Sequence, residues 1–394
     1  MKKPNYQNTI AACFTGCVVQ AIVNNFAPLL FLTFQKSYGI SLARITALVT
    51  VNFGVQLAVD MASALFVDRI GYRTAMLLAH GMSTGGLLLL TVLPGLTADP
   101  FIGLLAAVII YAMGGGLLEV LVSPIMEACP TKNKEKAMSL LHSFYCWGHV
   151  AVVVLSTLFF TMFGIENWKI LARLWAIVPL LNFLAFTRVP LAPILPEGER
   201  GLTIGQLAQK KVFWLLALLM LCAGASEQAV SQWASVLAEK GLGVTKTIGD
   251  LAGPMFFALM MGLSRMFYGK YGDRIDLRRF MAASGALCAA SYLVIALAPW
   301  PAVSLLGCGL CGLSVGILWP GTFSIACVSL RGGGTAMFAL FALAGDIGCG
   351  SGPLLVGTVS GFFDDSLKAG ILAALIFPAA LLAGLVLLRR GRKA

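Results

Sequence analysis

The sequence predicts an all-α integral membrane protein of twelve transmembrane helices in two pseudo-symmetric six-helix halves. Composition, the spacing of apolar runs and a motif that occurs twice carry this expectation. Hydrophobic residues make up 59% of the 394-residue chain against 11% charged, and the mean hydropathy is +0.88. No water-soluble domain of this length carries such a balance on its surface. The segment VDRIGYR at 67–73 returns as GDRIDLRR at 272–279, so Asp68, Arg69 and Arg73 map onto Asp273, Arg274 and Arg278 at one offset of 205 residues. That offset is about half of the chain, as expected when a membrane fold is built from two related repeats.

A membrane helix needs roughly 20 apolar residues, and charge and Pro/Gly clusters divide the chain into twelve such runs. They lie near 10–34, 45–67, 74–94, 101–128, 139–163, 169–187, 213–238, 248–270, 280–298, 302–328, 335–360 and 369–388. The first contains Asn24, Asn25 and Pro28 and lacks a small-residue cleavage site, so it reads as a retained helix rather than a signal peptide. The first motif copy separates the second run from the third, and its repeat separates the eighth from the ninth. Between the sixth and seventh lies RVPLAPILPEGERGLTIGQLAQKK at 188–211, rich in Pro and Gly and then in charge. The expected organisation is an N-terminal half over 1–188, a cytoplasmic linker over 189–211 and a C-terminal half over 212–394.

Orientation follows from the basic residues. Placing both ends and the alternate loops in the cytoplasm collects twenty of the 28 Lys and Arg residues in or beside them, against seven in or beside the opposite loops, with Arg265 assigned to neither. The positive-inside rule then puts both termini in the cytoplasm. The net charge of +11 is accounted for by basic residues on anionic headgroups, so nucleic acid is not an expected partner. Ten cysteines sit mostly within the spans. Cys308 and Cys311 lie in a helix of small residues with no accompanying ligands, so they are expected to pack, and no disulfide framework is implied.

Function is sought where polarity is costly. An ionisable residue inside a span costs roughly 2.5–3.5 kcal/mol on the gentler insertion scales, which makes it a functional candidate. Glu119 lies about eleven residues from the end of the fourth span, roughly 16 Å and so near the midplane. It is read as a proton carrier, the bland alternative being a structural acid bonded to a neighbouring helix. Glu227 and Asp346 are comparably deep. Glu227 is assigned to a substrate hydroxyl, and Asp346 to coupling or to helix packing beside GCGSGP. Asp60 and Arg265 sit eight residues before Asp68 and Asp273, at equivalent places with opposite charge. They are expected to form a charge pair or to partner the motif loops, in a conformational role. Glu127, at the cytoplasmic end of the fourth span, is the expected gate-closing partner of Arg69 or Arg73.

His142, Tyr145 and His149 are spaced by three and four and share one helix face, but without a second ligand cluster they do not predict a metal site. His80 reads as an internal hydrogen-bonded histidine. Trp233 and Trp319 could anchor at the membrane interface, yet Trp319 is deep in its span beside Pro320, where an indole can stack on the C–H face of a sugar. Asn24 and Asn25 offer both donors and acceptors, as hydroxyl-rich ligands require.

Acid-Arg-x-Gly-x-Arg between a second and a third span resembles the signature loop of the major facilitator superfamily, and the second copy departs from it at Asp276, where the pattern has Gly. A narrower resemblance is carried by GGGLLEVLVSP at 114–124 and KAMSLLHSFYCWG at 136–148, which look like the fucose, galactose and glucose proton symporter family. That family has a membrane Glu five residues before an Asn-Pro. Here Glu119 falls five before Pro124, with Ser123 in place of Asn, and His142 and Tyr145 take the polar positions of the next helix. VNN at 23–25, EQAVSQW at 227–233 and ILWPGTFSI at 317–325 resemble the family's first, seventh and tenth helices. The fucose permease branch carries an acid three residues after the Asn pair, where this chain has Pro28.

The resemblance implies the major facilitator fold and a monomeric secondary transporter that moves a small polar solute, a monosaccharide or related polyol, with protons by alternating access. Glu119 and Asp346 would couple protons. Asn24, Asn25, His142, Tyr145, Glu227, Trp233 and Trp319 would bind solute. Asp60, Asp68, Arg69, Arg73, Glu127, Arg265, Asp273, Arg274 and Arg278 would gate. A drug or metabolite exporter of the same superfamily is the alternative in the same class, and a non-transporting receptor on a transporter scaffold the alternative from another. No metal constellation, oriented nucleophile or phosphate-binding loop appears, so neither an enzyme nor a cofactor is expected. The expected location is the bacterial cytoplasmic (inner) membrane.

Overall fold

A bilayer offers no water to bond the main chain, so an apolar run must satisfy its own N–H and C=O groups, and the helix is how a single segment does this. The computed structural model describes residues 5–40, 42–194, 201–242, 251–364 and 366–390, and they are helical with no strand among them. The first half of the chain forms α1 (Gln7–Asn25), α2 (Phe31–Tyr38), α3 (Leu42–Ile70), α4 (Tyr72–Leu96), α5 (Pro100–Ala128), α6 (Lys134–Phe163) and α7 (Trp168–Arg188). A short α8 (Ile204–Ala208) precedes α9 (Lys211–Ser231), α10 (Ala234–Leu242), α11 (Phe256–Tyr271) and α12 (Leu277–Leu297). The chain ends with α13 (Pro301–Val315), α14 (Leu318–Ser329), α15 (Gly334–Phe362), α16 (Leu367–Ala374) and α17 (Ile376–Arg390).

Among the described residues, eleven helical stretches are long and apolar enough to cross a membrane, which makes the chain an integral membrane protein. The eighth predicted run, 248–270, starts outside the described residues. Its described part is a π-helical turn at Leu251–Met255 leading into α11. The predicted linker also falls partly outside the described residues, at 195–200.

Four predicted runs are interrupted rather than continuous. The first breaks after Asn25 into a 3-10 turn at Ala27–Leu30, because Pro28 can donate no hydrogen bond to the helix before it. The tenth breaks between α13 and α14, four residues before Pro320, and the twelfth at Leu375, three before Pro378, for the same reason. The seventh breaks at Gln232 and Trp233 without a proline. The linker carries a helix that the hydrophobic pattern does not show: α8 is started by a capping box in which Thr203 and Gln206 bond each other's main chain, the Thr-x-x-Gln signature of a helix start.

Side-chain polarity is arranged as lipid demands. Leu354, Phe362 and Leu96 are 69%, 81% and 75% exposed, whereas His80, Asp60 and Ser123 are fully buried. The helices divide between two compact units, one of residues 1–130, 147–201 and 334–339, the other of 131–146, 202–333 and 340–394. In the first unit α4 and α5 pack closely, since a Cβ at Gly114 would lie 2.6 Å from the Ala79 carbonyl oxygen and only glycine admits that approach. His80 clasps the same unit. Its Nδ1 is 2.8 Å from the Met76 carbonyl, which can only accept, so Nδ1 carries the proton and Nε2 accepts from Asn182 at 2.7 Å. Asn182 also donates to the Ala12 carbonyl at 3.0 Å, joining α1, α4 and α7, as expected of an internal hydrogen-bonded histidine.

Candidate functional site

In the first unit the candidate residues gather where α1, α3 and α5 meet. Asn52, Gln56, Asp60 and Ser63 form a buried polar row on one face of α3, at the spacing of three and four that stacks side chains along a helix. Gln56 donates through Nε2 to Asn24 Oδ1 at 2.8 Å, and Gln20, one turn before Asn24, donates to Glu119 Oε2 at 2.9 Å. The Glu119 carboxyl thus has an amide donor from α1, and the Asn24 side chain is fixed by α3. Asn25 instead turns back on its own helix and donates to the Ala21 carbonyl at 2.8 Å. Sequence reasoning singled out Asp60 but missed Gln20, Asn52 and Gln56, although the four-residue spacing of polar side chains within apolar runs marks all three.

In the second unit Arg265 is the hub. Pro320 has no N–H, so the Gly316 carbonyl four residues earlier lacks its helical donor, and Arg265 Nε supplies one at 2.9 Å. Its Nη1 donates to the His142 carbonyl at 2.9 Å and lies 3.2 Å from Cys146 Sγ, while Nη2 is 3.5 Å from Glu227 Oε2. Ser139 closes the contact from α6 by donating to the Arg265 carbonyl at 2.7 Å. Arg265 thus has a charge partner in Glu227, a pairing that the sequence reading did not name. One guanidinium ties α6, α9 and the break before α14 together.

Aromatic rings surround this hub. The His142 imidazole stacks on Phe323 with centroids 6.0 Å apart and planes at 14°, and Trp319 meets Phe323 edge-on at 6.3 Å. Phe323, one turn after Trp319, was not singled out by the sequence. The Trp319 indole lies so close to Gly345 that a Cβ there would overlap it, which sets the ring against α15. Trp233 is engaged differently: its Nε1 donates to the Pro353 carbonyl at 3.3 Å. Tyr145 and Asp346 are half-buried on α6 and α15.

The two motif copies hold different partners. In the first, Asp68 accepts from the Thr335 hydroxyl, which also bonds Tyr72. Arg73 donates to the Phe186 and Val189 carbonyls at 2.5 and 2.8 Å, securing the end of α7. In the second copy, Asp273 accepts from Asn133 at 2.9 Å and pairs with Lys136 at the start of α6. Asp68, Arg69, Asp273 and Arg274 are exposed, and Arg278 and Glu127 half-buried. Asp276 replaces the Gly of the pattern because the turn differs. Gly71 has φ +81°, a value suited to glycine, while Asp276 has φ −66° and caps α12 by accepting from the Arg279 N–H.

The Lys136 ammonium, then the Asn133 amide, holds the Asp273 carboxyl below the usual carboxylate range. With a lowered folded-state pKa, its stabilising contribution is present above the unfolded value of about 3.9 and is lost as pH falls through the folded value. The contact is therefore intact at neutral pH. Asp68→Asn and Asp273→Asn are each expected to raise the labelling of cysteines introduced beside their own loop a few-fold, because each removes one holding charge without locking a state. Equal labelling in wild type and both variants would assign the repeated motif to topology or assembly instead of a latch.

Compared with known families, residues 12–353 match the family model described as Major Facilitator Superfamily. No curated protein sequence matches at significance. Among solved structures, the E. coli fucose:proton symporter FucP is similar with a TM-score of 0.81 and 16% identity, over 97% of this chain and 98% of that one. The human organic anion transporter MFSD10 (TETRAN) gives a TM-score of 0.75 and 16% identity over 98% and 100%. The proton:xylose symporter XylE, solved with 6-bromo-6-deoxy-D-glucose, gives 0.77 and 12% over 98% and 95%. At these identities the likeness shows the fold.

Proposed function

Because the chain belongs to the Major Facilitator Superfamily and is a transporter of that fold, we propose that it moves a monosaccharide or related polyol together with protons by alternating access. The observation that carries this reading is the aromatic cluster of His142, Phe323 and Trp319 built onto the Arg265–Glu227 pair. Flat rings accept the C–H faces of a sugar. The paired charges of Arg265 and Glu227 cancel, which favours a neutral hydroxyl-bearing solute over an ion. Glu119, held by Gln20, is the proton carrier, and Asp346, half-buried on α15, assists it. Two of the similar structures are named as sugar:proton symporters, which supports the same class. The basic bias of alternate loops supports cytoplasmic termini in a bacterial inner membrane, with 1–188 and 212–394 as the two moving halves of a monomer.

A panel of monosaccharides, polyols, organic anions and apolar drugs tested for thermal stabilisation of the purified protein separates the readings. A ligand at about 100 times its Kd stabilises a folded protein by about 2.7 kcal/mol. One sugar or polyol class is expected to raise the Tm, and Trp319→Ala to remove that rise while leaving the unliganded protein folded. Stabilisation by organic anions or apolar drugs alone would replace the sugar reading with the exporter.

A further inference from the structure

We propose that the break in α1 forms a binding site for a monovalent cation of the sodium class. A small cavity of about 40 Å³ opens at this break, lined by Asn24, Pro28, Phe31, Asn52, Phe53 and Tyr111 among others. A single water needs roughly 10–15 Å³ by a comparable measure, so the cavity has room for a cation together with a few waters.

Its oxygens have the right chemistry. Pro28 has no N–H, so the Asn24 main-chain carbonyl loses its helical donor. The N–H groups of Phe26 and Leu29 are committed elsewhere, to the Ile22 and Phe26 carbonyls. The broken end of α1 also carries the negative pole of its helix dipole. Asn52 supplies an independent observation: it is 7% exposed, lines the cavity, and its Oδ1 is buried without a hydrogen-bond partner. A buried amide oxygen left unbonded costs about 1–3 kcal/mol, and a cation recovers that cost. The Tyr111 phenol lines the same cavity. Gln56 holds the Asn24 side chain in place through its Oδ1 at 2.8 Å, and the ligand proposed from α1 is the Asn24 main-chain carbonyl.

These donors are hard, neutral oxygens. Calcium or magnesium takes carboxylates, whereas unwound carbonyls and half-helix C-terminal ends coordinate sodium in other transporter folds. Glu119 does not line the cavity and is eight residues from Tyr111, about 12 Å along α5. The cation site is therefore separate from the proposed proton carrier.

The test measures saturable binding of radioactive sodium to the purified protein, without solute or pH gradient, at constant ionic strength with choline as the replacement ion. The expected result is saturable sodium binding with sodium-specific thermal stabilisation, weakened at least tenfold by Asn52→Leu and a few-fold by Tyr111→Phe, and retained by Glu119→Gln. If Asn52→Leu does not fold, Tyr111→Phe decides. Absence of saturable binding in wild type, unchanged binding in the Asn52 and Tyr111 variants, or loss of binding in Glu119→Gln would each overturn the site. Proton coupling is tested separately by uptake in sodium-free buffer, so the two ideas can fail independently.

Discussion

Replacing Arg265 by Leu is expected to abolish solute uptake and to lower stability by about 3–5 kcal/mol, the cost of removing one partner from a buried ion pair. Arg265 is 4% exposed, and its loss leaves the Glu227 carboxylate without its cation and the Gly316 carbonyl without its donor. Arg265→Lys is not conservative here. A single ammonium cannot reach the acceptors on α6, α9 and the α14 break that a planar fork reaches together. Pairing Arg265→Leu with Glu227→Leu removes the stranded charge, so stability is expected to recover in part while uptake does not. Thermal unfolding and uptake measured on the same preparations check both effects. Wild-type uptake in Arg265→Leu would show that the guanidinium only braces the fold.

Glu119→Gln is expected to abolish accumulation driven by a pH gradient while leaving counterflow exchange measurable. The substitution keeps the shape of the side chain, and its amide oxygen can still accept the Gln20 donation seen at 2.9 Å, so the packing of α1 on α5 survives. What is lost is the capacity to take and release a proton. Undiminished accumulation in the variant would remove Glu119 from the coupling reaction and turn attention to Asp346.

The helical architecture was legible because the bilayer imposes one rule on every run, an internally bonded apolar helix. The fourth run, expected near 101–128, is the helix Pro100–Ala128. The breaks were half legible. Pro28, Pro320 and Pro378 stood in the sequence, but whether a proline bends a helix or ends it depends on what satisfies the freed carbonyl. At Pro320 that is Arg265, from 55 residues earlier in the chain. The individual acids Glu119 and Glu227 were visible through their cost, whereas their partners Gln20 and Arg265 were not assignable, since a pairing across helices is fixed by packing rather than by spacing. The polar row on α3 is the signal left unused: Asn52, Gln56 and Asp60 recur every four residues in an apolar run. Phe323 was hidden for the opposite reason, because one more phenylalanine in a membrane helix reads as lipid-facing until His142 is found stacked on it.

Solute-driven proton movement in proteoliposomes is the most direct test. Purified protein is reconstituted with a pH-sensitive dye in the lumen and no imposed gradient, and the sugar or polyol that stabilises it is added outside. Acidification of the lumen that follows solute entry, and disappears in Glu119→Gln, is the predicted result. Solute entry with no change in lumenal pH, in sodium-free buffer, would contradict proton-coupled transport.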